Sequence, residues 1–341
     1  MSRSLVDLPK AHLHLHFTGS MRFETLLDLA AQHGMRLPHA LTAHWPPPLT
    51  EGAGARGWFR FQRLYDAARA CVRDEVGMRR IVREAAEDDA AEGSGWLEMQ
   101  IDPTSYAPYV GGLVAALEIV LDEAAAASRD LGIGVAIIVA ASRIRHPLDA
   151  RTLARLAARY AGPAPGGVVG FGLSNDERRG DTEEFGAAFR IARGAGLALM
   201  PHGGELLGAD AVRQTLDFLR PDRIGHGVRS VEDPAVLRRV AADGVALEVC
   251  PGSNVALGVY PADSFVPLRA LVSAGARVAL GADDPLLFGS RLVDQYDTAR
   301  RVHGFDDAAL AELARGSILA SRAPDDVRGK LLGGVDAWLA S

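Results

Sequence analysis

With 341 residues, 48% of them hydrophobic, the chain can bury a sizeable core, which leaves two domains or one large α/β barrel. A formal net charge of −6 argues against nucleic acid as a partner, since a phosphate backbone needs a basic stripe. No run of about 18 apolar residues could cross a membrane, and the start MSRSLVDLPK has no apolar leader. Two distant cysteines, Cys71 and Cys250, exclude a disulfide framework or a cysteine-rich zinc site and point to the cytoplasm.

The first strand is expected at 11–17, within AHLHLHFTGS. Alternate side chains of a strand share a face, so His12, His14 and His16 should point one way and Leu13 and Leu15 the other. Three imidazoles make a poor core face. His14 and His16 would lie about 7 Å apart at Cα, close enough to lean on one ion, whereas His12 would sit about 13 Å from His16. It is read as a hydrogen-bonded interior histidine. The segment 44–65 then breaks the pattern: proline and glycine preclude a regular element to about residue 57, and WFRFQRLY resumes as an aromatic helix. An insertion above the first strand is expected to be a lid within a single domain spanning 1–341.

Further strands are expected near 96–102, 134–141, 167–173, 197–202, 223–226, 246–250 and 277–282, separated by amphipathic helical runs such as EVGMRRIVREAAEDDAAEG and VEDPAVLRRVAADG. Eight strands alternating with helices point to a (β/α)8 TIM-type barrel. A doubly wound sheet is disfavoured because no glycine-rich phosphate fingerprint follows the first strand.

In such a barrel the strands' C-terminal ends carry the chemistry. Strand one ends in His14 and His16, LALMPHGGE in His202 with Glu205 beyond, DRIGHG in His226, and VALGADDP in Asp283 and Asp284. Imidazole and carboxylate suit zinc. A lone H-x-H would be weak, but four strands ending on such groups describe a site. For Asp284 the competing reading is a helix N-cap ahead of Pro285.

In that order, LPKAHLHLHFTGS, HGGE, IGHG, CPGSN and GADDP resemble the adenosine deaminase family of the amidohydrolase superfamily over nearly the whole chain. The resemblance implies a barrel with one catalytic zinc that hydrolyses the 6-amino group of adenine rings, so the partner is a small adenine nucleoside. It implies zinc ligands His14, His16, His202 and Asp283, with Asp283 also in the catalytic set. Glu205 would protonate N1, His226 would position and deprotonate water, and Asp284 would contact N7. The chemistry agrees: zinc lowers the pKa of bound water to about 7, and a carboxyl raised by burial can hold a proton for the ring. The glycines of HGGE, Gly204 among them, would let backbone approach the flat base. A two-metal hydrolase would need a bridging lysine after strand four, and GVVGFGLSNDE has none.

The chain departs from the family's usual pattern at Phe17-Thr18-Gly19 (family Leu-Asp-Gly), at Leu173-Ser174-Asn175-Asp176-Glu177 (family Leu-Ala-Gly-Asp-Glu) and at Gln100, where arginine is common. These positions fall where the rest of the substrate would lie, which marks Thr18 and Asn175 as substrate-binding candidates. HLHLHFTGSMR and GLSNDERRG resemble the branch of aminodeoxyfutalosine deaminases of menaquinone synthesis, rather than those of purine salvage acting on adenosine. That branch implies 6-amino-6-deoxyfutalosine, whose 5′ extension bears a benzoate. Threonine in place of aspartate should open the pocket to an anion, with Arg22, Arg60, Arg63, Arg178 and Arg179 as candidate partners.

Overall fold

Strands β1 (Lys10–His16), β2 (Ser94–Ile101), β3 (Gly134–Ser142), β4 (Val168–Ser174), β5 (Ala198–Gly203), β6 (Arg223–His226), β7 (Ala246–Val249) and β8 (Val278–Leu280) follow one another in space as in sequence. Every neighbouring pair is parallel. The computed structural model describes residues 3–49 and 55–341. Strands such as GVAIIVAAS are apolar and buried on both faces, as parallel strands covered by helices must be. The ring closes where β8 runs out: His16 N–H donates to the Asp283 carbonyl and Asp283 N–H to that of His14, each at 3.0 Å. Closure of the barrel and placement of three candidate ligands are therefore one event. The expected (β/α)8 architecture is the observed one.

The single-face reading of the first strand needs correction. The register of β1 on β2 shifts between His12 and Leu15, the signature of a bulge. Two residues consequently occupy one pleat step, and strict alternation fails between His12 and His14. His12 turns to the helix Glu75–Ala91, where its Nδ1 meets Asp89 at 2.9 Å, and its Nε2 accepts the Ala282 amide at 3.0 Å. It is the buried, hydrogen-bonded histidine expected, reached from the other face.

The amphipathic runs form helices at Glu75–Ala91 and Pro234–Ala242, each begun by an aspartate cap: Asp74 accepts from Gly77 N–H and Asp233 from Ala235 N–H. Within the expected lid, residues 50–54 lie outside the described residues. The aromatic stretch forms the helix Ala55–Arg69. Trp58 and Phe61 are buried, Phe61 stacks on Phe288 with ring centroids 5.3 Å apart, and Trp45 Nε1 donates to the Leu286 carbonyl at 2.8 Å. The segment thus packs on the turn that follows Asp284. Among the described residues no helix is long and apolar enough to cross a membrane.

Candidate active site

The ends of three strands, β1, β5 and β8, bring His14, His16, His202 and Asp283 together. The Nε2 atoms of His16 and His202 are 3.2 Å apart, and Asp283 Oδ1 lies 3.2 Å from His16 Nε2 and 3.5 Å from His14 Nε2. His14 donates from Nδ1 to the buried Glu248 carboxylate at 2.7 Å, which turns Nε2 inward. That Nε2 is buried with no hydrogen-bond partner. Imidazole nitrogens facing one another beside a carboxylate form a cation's donor set, and a carboxylate-held histidine is the usual support of a metal ligand. His14, His16 and His202 hold ligand atoms within 4.8 Å of one another, as do His14, His226 and Asp283. Gly225 is required here, since a Cβ would meet His14 Cε1 at 2.8 Å.

Backbone strain gathers at the same rim. Asn175, His226 and Asp283 have φ of 80°, 65° and 63°, a region costly to residues other than glycine and common at functional sites. His226 Nε2 lies 3.6 Å from Glu205 Oε2 and 3.9 Å from Asp283 Oδ2. Burial pushes His226 down to about 3 and holds His202 well below its ordinary value. Burial, then the charges of Asp283 and Glu177, push the Glu205 carboxyl well up. Burial and Asp283 do the same for Asp284. Burial thus disfavours the charged form of both His226 and Glu205 beside the cluster, the direction that a general base and a general acid need. Asp284 begins the helix Pro285–Phe288 without capping it, and its buried Oδ1 has no partner. The N-cap reading is not what the side chain does.

The cavity over the cluster is lined on its floor by His16, His202, Glu205, His226, Asp283 and Asp284, and on its walls by Gln100, Tyr106, Ser142 and Asn175. Tyr65 and Arg69 of the helix Ala55–Arg69 form part of its roof. Two expectations change. Thr18 is fully buried and its hydroxyl is taken by Tyr106 Oη at 2.5 Å, so Tyr106 fills the room that threonine was expected to open. Gly204 is not among the lining residues; its amide is donated to Glu177, leaving none for a base.

The arginines at the mouth also differ from those expected. Arg22 pairs with Asp88 and Glu87 at 2.7 and 2.9 Å, Arg178 with Asp176 at 2.8 Å, and Arg60 donates to the Pro48 carbonyl at 3.1 Å. None of the five reaches the lining, which instead carries Arg69 and Arg145. Sequence reasoning also passed over Glu248, Glu177 and Ser142. A lone glutamate inside the apolar strand ALEV was the available signal for Glu248. Glu177 stands in the strand-four motif but shows no role there, because the amides that it binds come from residues 204–207, and Ser142 gives no signal.

The sequence model of the family described as adenosine deaminase matches residues 9–338. A putative adenosine/adenine deaminase of Streptomyces virginiae is 62% identical over 338 residues, covering 99% of this chain and 98% of its own. Among solved structures, adenine deaminase from Arthrobacter aurescens superposes with a TM-score of 0.88 at 30% identity, over 98% of this chain and 99% of that one. An amidohydrolase from Burkholderia ambifaria with bound Zn gives 0.84 at 25% identity, over 99% and 94%.

Proposed function

The chain belongs to the adenosine deaminase family, and on that premise we propose that it hydrolyses the 6-amino group of an adenine-type ring with one zinc per chain. The preferred substrate is 6-amino-6-deoxyfutalosine. The observation that carries the reaction is the facing pair of Glu205 and His226, 3.6 Å apart over the histidine cluster, with burial disfavouring the charged form of each. His14, His16, His202 and Asp283 would hold the zinc. A zinc there supplies water that is nucleophilic at neutral pH. Glu205 gives its proton to ring N1 as water adds at C6, and His226 takes the proton that the water loses. His226 then returns that proton to the C6 nitrogen, and the C6–N bond breaks with its electron pair leaving as ammonia. The added hydroxyl yields its proton to the Glu205 carboxylate, which leaves a carbonyl at C6 and restores both groups. Asp284, whose carboxyl burial and Asp283 push upward, contacts N7. Asn175 uses its Oδ1 on the Asp176 amide at 2.7 Å, which leaves its NH2 to the substrate. Two buried free cysteines suit a cytoplasmic enzyme.

The substrate preference rests on the far wall. Both amide atoms of Gln100 and the hydroxyl of Ser142 are buried without partners, and both residues line the cavity. Beyond them Arg145 is exposed; among the described residues no carboxylate lies within ion-pair distance of it, although Asp102 of the same lining feels its charge. Unpaired donors leading to a guanidinium suit a substrate with an anionic far end, such as the benzoate of that nucleoside. A second reading, free adenine, is favoured by the Thr18–Tyr106 bond, which leaves no threonine hydroxyl for a ribose. The test is kcat/KM for aminodeoxyfutalosine, adenosine and adenine, followed by loss of adenine absorbance. The proposal expects the first to lead by about tenfold or more, and Arg145→Met to remove that lead while sparing adenine. A lead for adenine would favour the second reading, and a lead for adenosine would reject both.

A further inference from the structure

Glu177 is nearly buried, at 5% exposure, and among the described residues it pairs with no arginine or lysine. Its carboxylate instead collects consecutive backbone amides of the turn that leaves β5. Gly204 N–H donates to Oε1, while Glu205, Leu206 and Leu207 N–H donate to Oε2 at 3.1, 2.8 and 2.9 Å. Successive amides curled around one anion form a nest, made possible here by Gly204 at φ +70°, where a Cβ would also meet Val212 at 2.3 Å. The turn is fixed from its other side by β6. Gly227 N–H donates to the Gly203 carbonyl at 2.9 Å, Arg229 N–H to that of Gly204 at 3.1 Å, and Arg229 Nη1 to that of Leu206 at 2.7 Å. The residue at the centre of this clamp is Glu205.

We infer that Glu177 is a positioning residue for the deamination: by binding the amides of residues 204–207 it aims the Glu205 carboxyl at the substrate ring. The inference rests on the role proposed for Glu205. A carboxylate that only stabilised the fold would have no need to spend all its acceptors on the one turn that carries the proton donor. The effect belongs to the chemical step, since Glu177 is not in the cavity wall.

The test uses the zinc-loaded protein with Glu177→Gln, in which an NH2 group replaces one of the two acceptors and confronts an amide donor. We expect zinc content unchanged, KM within about threefold, and kcat lower by about 10²-fold, the usual cost of a misplacement near 1 Å. Glu177→Asp, one methylene shorter, should show the same split with a smaller loss, and decides the matter should the glutamine variant not fold. A kcat within about threefold of wild type in a folded variant, with only the unfolding temperature lowered, would reduce Glu177 to a structural clamp and overturn the inference. Wild-type turnover is measured alongside. A wild type that releases no ammonia overturns the family reaction and the role of Glu177 together, whereas active wild type with an equally active variant overturns the role alone.

Discussion

Two buried polar clusters lie next to each other in the barrel and differ in how completely they are paired. Around Arg223 every guanidinium nitrogen and every facing carboxylate oxygen has a partner. Its Nε donates to Glu248 and its Nη2 to Glu98, both at 2.5 Å, while Nη1 donates to the Ala320 carbonyl at 2.8 Å. Glu98 also accepts from Trp96 Nε1 at 2.9 Å and from the Arg322 amide at 2.5 Å. At the rim, His14 Nε2, His202 Nδ1, His226 Nδ1, Asp284 Oδ1 and the Gln100 amide are buried with no partner. Buried polar groups are normally satisfied, and exceptions concentrate where something else is bound. The paired cluster closes a barrel; the unpaired one forms the proposed site. Glu248 joins them, giving one oxygen to Arg223 and the other to His14.

The comparison can be broken at either end. The largest effect is expected from Asp283→Ala, which removes a proposed metal ligand and should abolish both ammonia release and stoichiometric zinc while the chain stays folded. Retained zinc with retained deamination would remove Asp283 from the site. Next comes Arg223→Met, which leaves Glu98 and Glu248 as uncompensated buried charges and should cost about 3–5 kcal/mol in denaturant unfolding. A loss below about 1 kcal/mol would show that the network is not structural.

The smallest effect concerns Lys10, at the start of β1, whose Nζ donates to the Glu92 carbonyl at 2.6 Å. Burial pushes its pKa down to about 8, against about 10.4 unfolded. Between these values the unfolded chain binds the extra proton, so this group's contribution to stability rises with pH there, and its burial penalty is fully present below about 8. The stability of wild type relative to Lys10→Met should therefore climb by about 1–3 kcal/mol from pH 7.5 to 10.5. A flat difference across that range contradicts the burial account.

The same contrast explains what could be read from the chain. Strand positions, and the gathering of His14, His16, His202, Glu205, His226, Asp283 and Asp284 at one rim, are legible because apolar runs ending in polar groups mark barrel strands and their C-terminal ends. The face of His12 was not, since a one-residue bulge leaves no trace in the alternation that it breaks. Thr18 was misjudged because its neighbour Tyr106 arrives from the far end of β2, 88 residues on. Arg145 was missed for the same reason: arginines are common in this chain, and only the fold tells a paired Arg22 or Arg178 from one on the cavity wall.

The central claim is that the unpaired rim is a zinc-dependent deaminase site in which Glu205 supplies the proton. It is tested most directly by zinc content and ammonia release measured on the same sample of Glu205→Gln, beside wild type. The account predicts about one zinc in each protein, as four ligands from one chain imply, and a rate about 10²–10⁴-fold lower in the variant. A variant that keeps its zinc and turns over within a few-fold of wild type would contradict it.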